Sequence, residues 1–190
     1  MRKGGGKDKG ADYERECARE LSKWFTYGNN TEGFWRSGGS GSMGTRRAAK
    51  GEADIGPHVG DIVSVAEDTA AFTGQFCVEC KRVKTFGWKN VMHLRWSSWL
   101  EEFWDQALRQ AIQPHRYPFL MAREDRGEEI IGMQRLIFDL RVHGAVDYAL
   151  IFTWLDLVLV FREEFFNKVS PRRFMGVEEP RRHRARTRLC

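Results

Sequence analysis

One segment, Phe76–Arg82, constrains this chain most, because it combines the apolar character of a buried strand with internal charges. Residues two apart in a strand point to the same face, so Glu79 and Lys81 share a face. A charge within an apolar strand is costly to bury unless it is paired or binds a metal. A second carboxylate, Asp61, lies in an earlier alternating segment, Val59–Val65. We therefore expect Asp61, Glu79 and Lys81 to form one site.

Two carboxylates beside an ammonium group are the side chains that a metal-dependent phosphodiesterase needs. Carboxylate oxygens bind hard divalent cations. The charge of Lys81 can stabilise a developing oxyanion or orient a water. The pattern therefore predicts a metal site with hydrolytic chemistry.

The composition indicates one packed domain. The chain has 190 residues, of which 42% are hydrophobic, and it contains seven tryptophans. Its longest apolar candidate for a membrane span, Ala149–Phe161, is short and contains Asp156, so we expect no transmembrane helix. The N-terminus lacks the apolar stretch of a secretory signal, and we expect a cytoplasmic protein.

The net charge of +5 is unevenly distributed along the chain. Residues 1–10 carry +3 and residues 171–190 carry +5, which leaves −3 for residues 11–170. Basic ends around a slightly acidic body indicate a polyanionic partner. We therefore expect a flexible basic arm at 1–11, a domain at 12–170 and a basic tail at 171–190, with at least one end contacting nucleic acid.

The Cys77 and Cys80 pair has the spacing of a zinc motif. In a strand, however, residues three apart face opposite ways, and no second pair follows. Buried free thiols in a reducing compartment are the preferred interpretation.

Apolar periodicity predicts the secondary structure. Helices are expected at 12–26, 97–113 and 163–168, and strands at 34–36, 59–66, 75–83, 119–122, 136–140, 148–153 and 157–161. The strands at 59–66 and 75–83 should form a hairpin around Glu67–Thr69. Residues 38–57 read as a long polar loop, which in a compact domain is commonly functional or disordered. This order of elements predicts an α/β fold with a mixed central sheet.

Residues 9–122 resemble the PD-(D/E)XK nuclease superfamily, and within it the archaeal-type and phage Holliday-junction resolvases. The motifs that carry the resemblance occur in the family's order: Lys9–Arg15, Arg36–Gly41, Gly60–Ile62, Glu79–Lys81 and Trp104–Ala107. Gly60 stands where the family has a proline. An insertion, Ala53–Pro57, makes Asp54 a rival for the motif aspartate, but we prefer Asp61 because it opens an alternating strand pattern.

The resemblance implies a restriction-endonuclease-like fold and hydrolysis of DNA that depends on Mg²⁺ or Mn²⁺. The implied metal ligands are Asp61, Glu79 and the backbone carbonyl of Cys80, with Glu14 at a second ion and Lys81 orienting the water. Gln106 lies where related nucleases place a glutamine. Expected DNA-binding residues are Arg36, Ser37, Ser40, Arg46, Arg47, Lys50 and Arg82.

Resolvases cut two symmetric strands, so the resemblance also implies a homodimer that acts on branched DNA in recombination or repair. A cluster of tryptophans could serve a dimer surface, DNA stacking or the core: Trp88, Trp96, Trp99 and Trp104. Two alternatives remain open. The chain could be another nuclease of this superfamily, such as a nicking, restriction-like or recombination-associated enzyme, or a non-catalytic DNA-binding protein.

Overall fold

The computed structural model describes residues 5–37 and 59–177, apart from 86, 96 and 126. Its helices are α1 (Gly5–Phe25), α2 (Ala70–Gln75), α3 (Trp88–Met92), α4 (Ser98–Ile112), α5 (Arg135–Ile137), α6 (Arg162–Lys168) and α7 (Pro171–Phe174). Its strands are β1 (Phe34–Arg36), β2 (Ile62–Ser64), β3 (Phe76–Val83), β4 (Tyr117–Glu124), β5 (Glu129–Gln134), β6 (Leu150–Phe152) and β7 (Leu157–Phe161). None of the helices in these residues combines the length and apolar character that a membrane crossing requires.

A mixed five-stranded sheet forms the centre of the fold, in the order β3-β4-β5-β7-β6. Strands β3 and β4 are parallel, and the other neighbours are antiparallel. A parallel pair needs a crossover, which here contains α3 and α4. The antiparallel pair β1-β2 adjoins β3 through a hydrogen bond from the Asp61 N–H to the Val78 carbonyl, at 2.8 Å. The α/β fold with a mixed central sheet is therefore confirmed.

Helices α1 and α4 cover opposite faces of β3 and β4. On one face, apolar residues of α1 such as Leu21 share a buried cluster with Val78 and Phe119. On the other, Trp104 of α4 shares a cluster with Leu120. Because strand residues alternate between faces, even-numbered β3 residues from 76 to 80 lie on the α1 side, whereas Glu79 projects toward α4.

The predicted hairpin of 59–66 and 75–83 is wrong. A short 3-10 turn (Glu67–Thr69) and α2 connect the two segments, and β2 pairs instead with β1. The hydroxyl of Thr69 explains the turn, because it lies within hydrogen-bond distance of the carbonyls of Gly33 and Ala66, at 2.7 and 2.9 Å. The following helix then buries Phe72 in the core.

The predicted strand at 136–140 is also wrong, because this segment is helical in α5 and in the π turn Phe138–Val142. Leu136 and Leu140 are exposed, whereas Ile137 and Phe138 are buried. This alternation of burial, with exposed residues four apart, is the period of a helix. In a short apolar run, the sequence alone does not distinguish a helix from a strand.

The domain extends past both expected boundaries. Helix α1 begins at Gly5, within the segment expected to be a flexible arm. At the other end, α7 buries Pro171 and Phe174, and Ser170 caps it by accepting a hydrogen bond from the Arg173 N–H at 3.1 Å. Residues 171–174 therefore belong to the folded domain and not to the tail, while residues 178–190 lie outside the described part of the chain.

Candidate active site

Main-chain contacts place Asp61 beside the middle of β3. Its N–H donates to the Val78 carbonyl, and its Oδ2 accepts from the Cys80 N–H, both at 2.8 Å. The preceding residue, Gly60, has a φ of +89°, and a Cβ there would lie 2.7 Å from the Val78 oxygen. The ring of proline fixes φ near −65°, so the turn that delivers Asp61 excludes the proline that related nucleases carry.

Ser37 holds the same turn from the other side. Its N–H donates to the Asp61 carbonyl at 2.8 Å, and its hydroxyl donates to the Gly60 carbonyl at 2.9 Å. The side chain is buried, so it braces the Gly60–Asp61 segment and does not offer its hydroxyl to a phosphate. This placement differs from the expected DNA contact.

Glu79 is buried on the α4 side of β3, with 1% of its surface exposed. Its Oε1 accepts a hydrogen bond from Gln106 Nε2 at 2.6 Å and forms an ion pair with Lys81. Its Oε2 is buried and has no hydrogen-bond partner. A buried carboxylate oxygen without a partner is costly, and a cation would supply the missing interaction.

Burial changes the acidity of both carboxylates. It raises the pKa of Asp61 to about 8, with the negative charges of Glu79 and Glu14 adding to the shift and the Cys80 N–H and Lys81 opposing it. Burial also raises the pKa of Glu79, against the opposing effect of Lys81. A positive charge bound between them would favour their ionised forms. Strongly perturbed acids that share a site are candidates for function.

Glu14 completes the acidic group from α1. Its carboxylate accepts from Arg36 at 2.9 Å, so Arg36, which we expected to contact DNA, positions Glu14. The charge of Glu14 raises the pKa of both Asp61 and Glu79, which places it near them. The first helix and the first strand thus bring a third carboxylate toward the site.

The residues present fit a divalent metal. No group of three or more His, Cys, Asp or Glu side chains in the described residues is close enough to hold one by itself. Asp61 and the unpartnered oxygen of Glu79 are nevertheless carboxylates of the kind that Mg²⁺ prefers. The Cys80 N–H points to Asp61, and a strand residue directs its N–H and C=O to the same edge. The Cys80 carbonyl therefore faces this edge as a third oxygen donor.

Two glutamines of α4 lie next to Glu79, and the sequence motifs indicated one of them, Gln106. Gln106 contacts it as described above. Gln110, one turn later, lies close enough to Glu79 to lower the pKa of its carboxyl group. Residues four apart on a helix share a face. The recurrence of glutamine at this spacing is the signal that could have revealed Gln110.

Several expected DNA-binding residues lie elsewhere or cannot be placed. Arg82 is on the α1 side of β3, where its Nε donates to Asp125 at 3.0 Å, and Lys9 pairs with the same carboxylate at 3.1 Å. Arg82 therefore does not line the site. Five further candidates fall outside the described residues: Ser40, Arg46, Arg47, Lys50 and the rival aspartate Asp54.

The cysteines do not form a zinc pair. Cys77 packs with Val59 and Ala111, whereas Cys80 lies against Cys17 on the opposite face, and all three thiols are free and buried. Burial raises the pKa of Cys77 to about 12, with Glu79 adding to the shift and the charge of Arg116 opposing it. Both charges therefore act on this thiol.

The tryptophans divide between core and surface. Trp104 is buried and donates to the Leu155 carbonyl at 2.8 Å, and Trp88 packs edge-on against Phe161. Trp99 is half-exposed. Trp96 is outside the described residues. Core packing thus explains part of the cluster.

Comparison with protein families agrees with this geometry. Residues 5–169 match a family model described as phage putative PDDEXK endonuclease. No curated protein and no solved structure matches the chain. The match extends over α1, the Asp61 turn, the Glu79–Lys81 strand and α4, which are the elements that build the site. The chain therefore belongs to this family of phage endonucleases of the PD-(D/E)XK superfamily.

Proposed function

We propose that this nuclease cleaves DNA with the help of a divalent metal held by Asp61 and Glu79, and that its preferred substrate is a four-way junction. The main support for a bound metal is the buried oxygen of Glu79 that has no hydrogen-bond partner. It lies near a second buried carboxylate, Asp61. The superfamily to which the chain belongs supports hydrolytic chemistry.

The side chains around this centre have separate tasks. Asp61, Glu79 and the Cys80 carbonyl would hold Mg²⁺ or Mn²⁺, and Glu14 would bind a second ion. A bound ion would polarise the phosphate and lower the pKa of a bound water. Lys81 would orient the attacking water and stabilise the developing charge. Gln106 keeps Glu79 in place through its hydrogen bond, and Arg36 does the same for Glu14.

The junction preference and a two-fold dimer are supported by the resemblance of the motifs to resolvases. Paired cuts in two symmetric strands require two active sites related by a two-fold axis. We also propose that the enzyme works in the cytoplasm of the infected cell, where phage DNA is available.

One set of assays tests this proposal. A four-way junction, a linear duplex and a single strand are incubated with wild type, Asp61→Asn and Lys81→Met, each with Mg²⁺ and with EDTA. We expect paired cuts in the junction by wild type with Mg²⁺, and losses of at least a hundredfold in both variants. Asp139→Asn, which changes an exposed carboxylate paired with Arg135, should cut normally.

Other outcomes would contradict parts of the proposal. Equal cutting of duplex and junction would favour a restriction-like or nicking enzyme. An active Asp61→Asn variant together with an inactive Asp54→Asn variant would transfer the motif aspartate to the insertion. Binding of DNA without any cleavage would favour the non-catalytic alternative. Sedimentation of the protein alone and with junction tests the dimer.

A further inference from the structure

Arg116 is a partly buried arginine between α4 and β4, and no side-chain partner of its guanidinium occurs among the described residues. Its N–H donates to the Ala111 carbonyl at 2.9 Å, which anchors its backbone at the C-terminal end of α4. Its Nη1 is buried and has no hydrogen-bond partner. Within the described part of the chain, no carboxylate lies within ion-pair distance of this guanidinium.

The lack of an ion pair distinguishes Arg116 from its neighbours near the sheet. Arg162 also has a buried Nη1 without a hydrogen bond, but it pairs with Glu129. Arg36 pairs with Glu14, Arg82 with Asp125, and Arg123 with Glu16. A buried N–H of a charged group is costly to leave unsatisfied, and the cost is removed when an anion binds. The Arg116 guanidinium is thus ready to bind an anion.

The position of Arg116 connects it to the candidate active site. Ala111, to which its backbone bonds, packs with Val59 and Cys77 in a small buried cluster. The Cys77 sulfur lies against Gly60, where a Cβ would be 3.1 Å from it. Cys77 is also two residues before Glu79 on the same face of β3, about 7 Å along the strand. The charge of Arg116 acts on the Cys77 thiol, so Arg116 flanks the turn that carries Asp61, on the α4 side of the sheet.

We propose that Arg116 binds a backbone phosphate next to the scissile one, in the DNA strand that is being cut. This inference rests on the proposed nuclease function and assigns one contact of its substrate. A guanidinium matches the oxygens of a phosphate with two parallel hydrogen bonds. Such a contact sets the register of the strand without reading its sequence. Arg116 is thus a positioning residue that does not touch the reacting atoms.

Binding measurements test the contact in the Asp61→Asn background, in which the DNA should remain uncut. Arg116→Gln and Arg116→Ala should each weaken binding of a four-way junction by about tenfold. Each should also reduce the slope of log K against log salt by about 0.9, as expected for one lost phosphate contact. Arg116→Lys should retain most of the slope. Arg135→Ala, which removes an exposed arginine paired with Asp139, is the matched control and should change neither quantity.

Replacement of single phosphates by neutral methylphosphonates then identifies the partner. One substitution near the cut should weaken binding with Arg116 present and have no further effect in Arg116→Gln. An unchanged salt slope in both neutral variants, or additive losses at every phosphate, would overturn the assignment and leave Arg116 as a structural residue. Failure of the nuclease function itself would appear separately, as a wild-type protein that cuts no DNA with Mg²⁺.

Discussion

The Glu79 carboxylate has opposite consequences for stability and for chemistry. Burial disfavours its charge, and one oxygen has no partner. The motif residues Glu79 and Lys81 could be predicted because charged residues two apart inside an apolar strand require an explanation. The partners of these residues could not all be predicted, since the role of Ser37 depends on hydrogen bonds with a turn more than twenty residues away.

Replacement of Glu79 by glutamine should therefore separate stability from activity. We expect cleavage to fall by at least a thousandfold, because the proposed metal site would lose a ligand. In EDTA the variant should be at least as stable as wild type, because a neutral amide replaces a buried charge. Cleavage kinetics and thermal unfolding measure the two effects. A variant that unfolds well below the wild-type temperature in EDTA would contradict this account.

The raised pKa of Asp61 predicts a pH dependence of stability. In the unfolded chain an aspartate titrates near 3.9, whereas burial raises the folded value to about 8. The folded state therefore holds the proton more tightly. The stability that this residue contributes is complete below pH about 4 and is lost as the pH rises toward 8. Without metal, the melting temperature of wild type relative to Asp61→Asn should fall between pH 5 and 8.

Metal should reverse this loss, because binding requires the ionised carboxylate. Added Mn²⁺ should raise the melting temperature of wild type more at pH 8 than at pH 6, and should have little effect on Asp61→Asn. Differential scanning fluorimetry at both pH values provides the measurement. Parallel melting curves for wild type and variant across this pH range would show that Asp61 titrates normally.

At the scale of elements, the site depends on how β2 meets β3. The sequence pattern predicted both strands but joined them as a hairpin, since nothing in the alternation of apolar residues shows that Thr69 bonds to a distant carbonyl. Asp61 nonetheless reaches Glu79, because its turn bonds directly to Val78 and Cys80. Proximity in the site was thus predictable, whereas the path of the chain was not.

Two glycine substitutions should have opposite effects on this arrangement. Gly60→Ala places a Cβ 2.7 Å from the Val78 oxygen at a φ of +89°, and should destabilise the fold by about 1–3 kcal/mol and impair cleavage by moving Asp61. Gly74→Ala, within α2 and with no atom within 4 Å of the new Cβ, should be neutral or stabilise by up to about 1 kcal/mol. Chemical denaturation and cleavage rates measure both. Equal effects would show that the turn is not strained.

At the scale of the whole molecule, the basic C-terminal segment has two parts. Its first residues belong to the folded domain, and residues 178–190 lie outside the described part of the chain. On net charge alone, residues 171–190 were predicted to be one basic tail. In the structure, the guanidinium of Arg173 donates to the carbonyls of Arg141 and His143 and so holds α7 on the domain. The buried Phe174 shows the same division. A few buried apolar residues within a basic segment are difficult to detect from the sequence, because the net charge of the whole segment hides them.

Two truncations should distinguish these parts. Removal of residues 178–190 deletes five arginines and should reduce the salt dependence of DNA binding by a few units of slope, while junction preference and stability persist. Removal of residues 171–190 also exposes the core around Phe174 and should lower the melting temperature by several degrees. Filter binding across salt concentrations and thermal unfolding provide the readouts. An unchanged slope in the shorter truncation would exclude the tail from DNA binding.

The bond from the Ser37 N–H to the Asp61 carbonyl also determines how this enzyme can change over generations. It joins the two ends of the intervening segment at 2.8 Å, beside the carboxylates of the candidate site. Doubling the length of a segment closed in this way costs only about 0.6 kcal/mol in loop entropy. We therefore expect that insertions between these two residues accumulate with little loss of stability and leave the candidate site in place.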